Sequence, residues 1–315
     1  MTASPDWPAV LAAAAAAGWT ARVVAAERLG DARDRVAGAL GSAELPGPAV
    51  ARLAAEVAFD LPGGRDTGTN AGGRARSVVV AAAARPLTLA MLTIDGERHA
   101  VPVPPHYAGY HTATTALRAV LQEALVPSGF SAAGFQPPLK TLAACSGLAR
   151  YGRNNLAYVA GLGSYLVLAA CVSDAPPPPE AVWEEPRELD RCARCSACLR
   201  ACPGGAIRGD RFLLQTDRCL TWVNEDEVAF PEWVDDAWHH CAVGCLRCQQ
   251  ACPENATVEL RVSPPQVFDE AESAAILDAT PPSGFSAATR EKLATSGLDY
   301  SPALIARNVR ALLGI

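Results

Sequence analysis

Long apolar runs are missing from this chain of 315 residues, and we expect no export leader. Outside the alanine runs, the longest strongly apolar stretch is Tyr165 to Val172, far below the roughly 20 residues that a membrane-spanning helix needs. No basic residue precedes Arg22 and no twin-arginine motif is present, so the sequence predicts neither membrane insertion nor export. We therefore expect a cytoplasmic protein, in a reducing compartment that suits free thiolates.

Lysine is scarce as well. Among 27 basic residues only Lys140 and Lys292 are lysine, and alanine is abundant; both facts fit a GC-rich genome and neither indicates a function. The charge is uneven, because residues 1–175 carry 14 basic and 12 acidic side chains whereas residues 176–315 carry 13 and 21. We interpret the acidic second half first as a solvated surface, and alternatively as a docking face for a basic redox protein.

Cysteine, in contrast, is abundant and patterned. From Cys192 to Pro203 the chain reads Cys-Ala-Arg-Cys-Ser-Ala-Cys-Leu-Arg-Ala-Cys-Pro, a spacing typical of bacterial iron–sulfur proteins. Three thiolates separated by two residues each can turn toward one cubane cluster, and a fourth followed by proline ligates the other cluster of a pair. This first run therefore predicts electron transfer and a partner motif.

The partner motif, the second run, is Cys245-Leu-Arg-Cys-Gln-Gln-Ala-Cys-Pro253. Two [4Fe-4S] clusters need eight thiolates, but a full copy of the first run would place a cysteine at position 242, which is Ala242. The eighth ligand must come from elsewhere, and Cys219 and Cys241 are the two candidates.

Zinc and disulfides are the competing interpretations of these 11 cysteines. Zinc usually takes two well-separated Cys-x-x-Cys pairs, and three thiols in one short run crowd one side of a tetrahedron. Disulfides are typical of short exported scaffolds, which this chain is not predicted to be. Cys145 and Cys171 lie among small apolar residues outside the runs, and we expect them to be buried core thiols.

The periodicity predicts a mixed α/β domain over residues 1–172. Asp6 caps a helix that Gly18 ends, and Asp95-Gly96 is a two-residue hairpin turn. The run Ser77–Ala83 lacks alternation, which is typical of a strand covered on both faces. The other predicted elements are helices at Glu27–Leu40, Tyr110–Leu125 and from Pro138 to about Leu148, and strands at Thr88–Ile94, His99–Val103 and Tyr165–Val172.

A proline-rich linker over residues 173–189 follows, and it marks a domain boundary because consecutive prolines cannot join a sheet. The cysteine runs lie in a segment over 190–262. The last segment, 263–315, carries an apolar register at Leu304, Ile305 and Val309 that predicts a helical tail. The predicted fold class is α+β, with an α/β domain, a two-cluster ferredoxin-like domain and a short helical tail.

The middle of the chain resembles the epoxyqueuosine reductase family and its relatives, the reductive dehalogenases. The resemblance covers about Tyr107 to Asn255. It rests on Ser146-Gly-Leu-Ala-Arg-Tyr-Gly-Arg-Asn-Asn155, on Gly163-Ser164 leading into a strand, and on the two cysteine runs.

In that family a cysteine between the runs, followed by an aromatic and an acidic residue, completes the second cluster. Cys219, Trp222 and Glu225 fit this pattern. The resemblance therefore implies Cys219 rather than Cys241 as the eighth ligand. It assigns Cys192, Cys195, Cys198 and Cys252 to one cluster and Cys202, Cys219, Cys245 and Cys248 to the other.

The resemblance also implies a nitroreductase-like α/β domain that binds cobalamin. We place candidate cofactor contacts at Gly152, Asn154, Gly163 and Ser164, where close glycines let backbone amides approach a ligand. Simple turn geometry is the alternative, since the spacing matches neither known nucleotide-binding glycine motif.

One departure from the family concerns the proton donor. The stretch in which epoxyqueuosine reductases carry an aspartate reads Ala133-Gly-Phe-Gln-Pro-Pro138 here, and no aspartate occurs between Asp95 and Asp174. Reductive dehalogenases use a tyrosine acid beside a basic residue. This sequence offers such a pair among Tyr107, Tyr110, Tyr151 and Tyr158, with Arg150 and Arg153. The candidate catalytic residues are Tyr151, Tyr158 and Arg153. The alternative role of each is packing.

These observations predict an iron–sulfur oxidoreductase in which two clusters deliver single electrons to a site in the α/β domain, in the manner of a corrinoid-dependent reductase. A non-catalytic electron carrier or redox-partner subunit is the alternative. We expect a redox protein as electron donor and a small-molecule substrate. We do not expect tRNA or a membrane as a partner, because the acidic half offers no evident basic face.

Overall fold

The computed structural model of the chain describes residues 4–42, 51 and 75–315. The chain divides into two compact units that are discontinuous in sequence. The first unit comprises Met1–Ala84 and His111–Cys195, and the second comprises Arg85–Tyr110 and Ser196–Ile315. No helix in the described part of the chain is long and apolar enough to cross a membrane.

The first unit is built around a four-stranded antiparallel sheet. Its strands are β1 (Trp19–Ala25), β2 (Ser77–Ala84), β5 (Ala132–Phe135) and β8 (Leu166–Ser173). They lie in the order β1-β2-β8-β5. Val78 and Val80 of β2 face one apolar core and Val79 faces another, so the central strand is covered on both faces as its sequence predicted.

Two pairs of helices cover this sheet. The helices α1 (Trp7–Ala16) and α3 (Tyr110–Leu125) pack on one face. The helices α2 (Leu29–Leu40) and α4 (Leu139–Cys145) pack on the other. A separate two-stranded hairpin, β6 (Arg150–Tyr151) and β7 (Ala157–Tyr158), follows α4.

Two strands of the sheet were missing from the prediction. In β1 the buried residues Trp19, Ala21 and Val23 alternate with exposed Thr20 and Arg22, and the pattern ends at Val24, which is also buried. The strand β5 lies inside the predicted loop, and it is a strand because it pairs with the far edge of β8. The predicted ends of two helices agree with the structure. The helix α3 has the predicted bounds. Asp6 caps α1, because its side chain accepts a hydrogen bond from the Ala9 N–H (3.1 Å).

The second unit contains a three-stranded sheet, formed by β3 (Thr88–Ile94), β4 (Glu97–Val103) and β9 (Gln266–Phe268). Asp95 (φ 51°) and Gly96 (φ 80°) both adopt left-handed conformations, as a type I′ hairpin turn requires. The helices of this unit are α5 (Ala197–Ala201), α6 (Leu220–Asn224), α7 (Arg247–Gln250), α8 (Glu270–Leu277), α9 (Ala287–Ser296) and α10 (Pro302–Leu313).

The four predicted segments therefore do not follow the units of the structure. The hairpin β3–β4 belongs with the C-terminal part of the chain, because β9 pairs with β3 in parallel. Leu92 of β3, Phe268 of β9 and Ile305 of α10 share one apolar core. The predicted tail does form the helix α10 over its apolar register, but it also supplies a strand to the sheet.

Candidate iron–sulfur site

Two short helices carry cysteines of the second unit. The helix α5 presents Cys198 and is followed by Cys202, and α7 presents Cys248 and is followed by Cys252. Cys202 leaves α5 in an extended conformation (ψ 109°), which the proline after it favours. The two helices pack against each other, so these parts of the two runs are adjacent in the fold.

Three thiols of the second unit lie close enough to influence one another. Burial raises the pKa of the Cys219 thiol, the backbone N–H groups of Trp222 and Thr221 lower it, and the neighbouring Cys202 raises it. Burial likewise raises the pKa of Cys245 to about 12, the Arg247 N–H lowers it, and Cys219 and Cys202 both raise it. Thiolates that repel each other in a buried site are stabilised by a shared cationic core, so this donor set fits an iron–sulfur cluster.

Cys241 is in a different environment. It is fully buried, with 0% of its surface exposed, and burial raises the pKa of its thiol. The thiol that raises the pKa of Cys241 is Cys245. Cys241 therefore differs from Cys219, whose pKa is raised by Cys202.

The cysteines are not arranged as a site for one ion. Within residues 4–42, 51 and 75–315, no three His, Cys, Asp or Glu side chains are grouped so that they could hold a single metal ion. A cubane cluster distributes its four thiolates around a core of eight atoms, which is larger than any single ion.

The loop before Cys245 is braced by a histidine that the sequence reasoning missed. The Leu246 N–H donates to Nε2 of His240 (3.0 Å), so the proton of the neutral ring is assigned to Nδ1, which donates to the Trp238 carbonyl (2.9 Å). This one side chain spans the loop from residue 238 to residue 246. Adjacency to Cys241 in the sequence was the only available signal, and it does not reveal such a role.

Two buried asparagines hold the same loop. Asn224, the last residue of α6, donates to the Gly244 carbonyl (2.8 Å). Asn308 of α10 donates to the carbonyls of Asn224 (2.8 Å) and Ala242 (2.9 Å). Asn308 is fully buried between Ile305 and Val309, so a polar residue within an apolar register was the sequence signal for it.

A tyrosine–carboxylate pair lies beside this loop. The Tyr107 hydroxyl donates to Oε1 of Glu225, the acidic residue of the family pattern after Cys219. Burial raises the pKa of Tyr107 well above its usual value, and the charge of Glu225 raises it further. Gly244 has φ +66°, and a Cβ there would lie 2.4 Å from the Tyr107 oxygen. The pair therefore fixes the backbone that leads into Cys245.

We expect Tyr107→Phe to destabilise the protein by about 1–3 kcal/mol, because it removes a buried donor from a carboxylate. Urea unfolding under anaerobic conditions, followed by circular dichroism, measures this change. Tyr110→Phe is the matched control, since Tyr110 is 40% exposed and its replacement should stay within about 0.5 kcal/mol. Equal unfolding midpoints for the two variants would show that the pair contributes no stability.

The first unit holds Cys192 and Cys195, and one loop of this unit contacts them. The Arg153 N–H donates to Sγ of Cys192 (3.4 Å), and Nη1 of Arg153 donates to the Cys195 carbonyl (3.1 Å). Arg153 was predicted as a catalytic residue. Both of these contacts go to the first cysteine run.

The two candidate catalytic tyrosines are in the hairpin β6–β7. Tyr158 is buried, and its oxygen accepts a hydrogen bond from Nδ2 of Asn154 (2.9 Å). Burial raises the pKa of Tyr151, and its side-chain hydrogen bond with Thr141 lowers it. The catalytic role of both tyrosines stays a prediction.

The residues predicted to contact cobalamin form hydrogen bonds within their own chain. Asn154 binds Tyr158, and a Cβ on Gly152 would lie 2.4 Å from Oδ1 of Asn154. Gly163 exchanges backbone hydrogen bonds with Val159 at 2.9 and 3.0 Å. These three residues are held by contacts within their own chain, and their role in binding cobalamin stays a prediction.

The two cysteines outside the runs are core thiols, as predicted. Cys145 and Cys171 are both fully buried. Burial raises the pKa of Cys145 to about 11 and that of Cys171 to about 12. Thiols this weakly acidic stay protonated at neutral pH and act as small apolar side chains.

The comparison with known families defines the class of protein. The family described as the 4Fe-4S double cluster binding domain matches residues 191–255. The match contains both cysteine runs and Cys219. The chain is therefore an iron–sulfur protein with a domain for two [4Fe-4S] clusters.

Within that class the chain is homologous to epoxyqueuosine reductases, which confirms the resemblance seen in its sequence. It is 32% identical to the enzyme of Pseudomonas aeruginosa over 138 residues, which are 43% of this chain and 37% of that one. It is 31% identical to the enzyme of Cyclobacterium marinum over 111 residues, which are 35% of this chain and 34% of that one. The aligned part thus spans about a third of the length of these curated relatives.

Solved structures of epoxyqueuosine reductases share the fold. The Bacillus subtilis enzyme superposes with a TM-score of 0.67 at 20% identity, over 96% of this chain and 80% of that one. The Streptococcus thermophilus enzyme gives a TM-score of 0.63 at 15% identity, over 98% and 80%. At these identities the likeness establishes the fold alone, and it confirms the predicted α+β class.

Proposed function

We propose that this protein is an iron–sulfur reductase that takes single electrons from a redox protein and passes them through two [4Fe-4S] clusters to a substrate. One observation carries the proposal: the match to a double cluster binding domain covers Cys219 and Cys245, and the neighbouring Cys202 raises the pKa of both thiols. When bound, the clusters supply one-electron transfer, which no amino-acid side chain supplies at low potential.

The proposed ligands follow the family pattern. One cluster takes Cys192, Cys195, Cys198 and Cys252, and the other takes Cys202, Cys219, Cys245 and Cys248. The environment of Cys219 supports this division, because its thiol interacts with Cys202 of the first run and with Cys245 of the second. Exchange of the final cysteine between runs is the arrangement of two-cluster ferredoxins.

We propose a substrate other than the epoxyqueuosine of tRNA. One structural neighbour is an epoxyqueuosine reductase with an epoxyqueuosine-modified tRNA stem loop, so the resemblance itself points toward tRNA. Against this, the stretch Ala133–Pro138 holds no ionisable side chain. The Bacillus subtilis structure, in contrast, is described as having an aspartate in its catalytic loop.

A non-catalytic electron carrier is the second candidate. The structure of the same stretch favours it, since Ala133 is buried in β5 and Gln136 donates a hydrogen bond to Oγ1 of Thr114 (3.2 Å). Neither residue can act as a proton donor to a substrate. A carrier needs no such donor.

Metal analysis after anaerobic purification tests the common part of both candidates. We expect about eight iron and about eight sulfide per chain, because eight thiolates hold two clusters. Zinc in place of iron, with no brown colour, would refute the proposal. A cobalamin titration of the loaded protein then separates the candidates: a spectral shift toward the base-off form supports the reductase, and reduction of a partner protein without any shift supports the carrier.

A further inference from the structure

The loop between β6 and β7, residues 152–156, is held in one arrangement by its own hydrogen bonds. The Gly152 N–H donates to the Leu156 carbonyl (2.9 Å), and the Asn155 N–H donates to the Gly152 carbonyl (2.8 Å). Lys140 then binds both the carbonyl and Oδ1 of Asn155, each at 3.0 Å. Asn155 has φ +58°, a left-handed conformation that asparagine adopts more readily than most residues, and the lysine holds it there.

The buried side of this loop is equally constrained. Asn154 is 3% exposed and donates to the Tyr158 oxygen (2.9 Å). A Cβ on Gly152 would lie 2.4 Å from Asn154 and 2.5 Å from the Tyr158 ring, so glycine is required there for space. The position of Arg153, between Gly152 and Asn154, is therefore fixed by its neighbours.

The segment that leads into the first cysteine run is bound to the same hairpin. The Tyr151 N–H donates to the Arg187 carbonyl (2.9 Å), and the Leu189 N–H donates to the Tyr151 carbonyl (2.8 Å). Arg150 and Asp190 form an ion pair at 2.9 Å. The hairpin and the turn that carries Cys192 thus form one braced element.

We propose that Arg153 sets the reduction potential of the cluster that takes Cys192 and Cys195, as a positioning residue and not as a catalytic one. Its N–H reaches Sγ of Cys192 (3.4 Å), and its guanidinium is held on the Cys195 carbonyl (3.1 Å). Hydrogen bonds to ligand sulfur and a nearby positive charge both raise the potential of an iron–sulfur cluster. This inference rests on the proposed two-cluster function.

The electrostatics follow from the redox step itself. Reduction adds one electron from the donor protein to the oxidised cluster, and no covalent bond forms or breaks. The added negative charge is stabilised by the Arg153 cation and by the dipole of its N–H. Replacing the side chain removes the cation and leaves the backbone N–H bond in place.

Redox titration of the loaded full-length protein, monitored by EPR, tests the proposal. We expect Arg153→Gln to lower the equilibrium constant for reduction of one cluster about tenfold, which is about 59 mV for one electron, and to leave the other cluster unchanged. Arg153→Lys keeps the charge and should stay within about threefold of wild type. Arg194→Gln is the control, because Arg194 lies in the same run but is exposed, where solvent screens its charge.

The outcomes separate this inference from the proposed function. Wild-type protein with fewer than two clusters would refute the function. Two clusters, with Arg153→Gln shifting neither potential or both equally, would refute only the role of Arg153. If Arg153→Gln loses iron, Arg153→Lys decides: full iron content and a near-normal potential support the charge effect, and iron loss in both variants overturns it in favour of a purely structural role.

Discussion

Cys219→Ala is expected to lower the iron content by about four per chain, whereas Cys241→Ala should leave it near the wild-type value. The thiol of Cys219 lies near Cys202 and Cys245 and accepts hydrogen bonds from the backbone N–H groups of Thr221 and Trp222. Removing a ligand opens one iron site, and a four-iron cluster with an open site tends to lose iron. Iron and sulfide analysis of anaerobically prepared variants measures the effect.

The comparison needs a control for the loss of a buried thiol. Cys145→Ala provides it, because Cys145 is as fully buried as Cys241 but is far from both runs in the sequence. Both alanine variants should lose only the packing of one sulfur atom, about 1 kcal/mol, and retain two clusters. Iron loss in Cys241→Ala with a normal content in Cys219→Ala would transfer the eighth ligand to Cys241.

The cysteine chemistry could be predicted from sequence because it depends on short spacings. The first run predicts its own geometry, since two residues between thiols bring them to one face of a turn. The turn at Asp95-Gly96 was equally local, because its two residues favour left-handed conformations. The apolar periodicity of α3 predicted the helix, and its bounds were predicted correctly.

The features that could not be predicted from the sequence depend on pairing between distant residues. The strand β9 is three residues long and exists because it pairs with β3, some 175 positions earlier in the chain. The strand β5 lies in a stretch rich in glycine and proline, and only its pairing with β8 makes it a strand. The division into units was missed for the same reason.

The candidate site shows the same limit. The sequence pointed to Glu225 through a family pattern, but its hydrogen bond to Tyr107 joins residues 118 positions apart. It pointed to Arg153 as a catalytic residue, whereas the contacts of that side chain and its N–H go to Cys195 and Cys192. Residue type and local spacing point to candidate ligands, but they do not reveal the distant residues that hold the loops around those ligands.

The second large effect is expected in a bacterial strain that lacks its epoxyqueuosine reductase: expression of this protein should not restore queuosine in bulk tRNA. A positioned proton donor typically contributes about 10²–10⁴-fold to such a reaction. The stretch Ala133–Pro138 offers none, since Gln136 is not an acid and binds Thr114. Residues 176–315 carry 13 basic and 21 acidic side chains, which weakens attraction for the phosphate backbone.

Two controls make this absence of activity interpretable. A bacterial epoxyqueuosine reductase expressed in the same strain must restore queuosine, and the expressed test protein must carry its full iron content. Restored queuosine would overturn the prediction and require another acid, for which Tyr151 and Tyr158 are the candidates. Tyr158→Phe would then separate them, because activity that survives the loss of the Tyr158 hydroxyl would assign the proton to Tyr151.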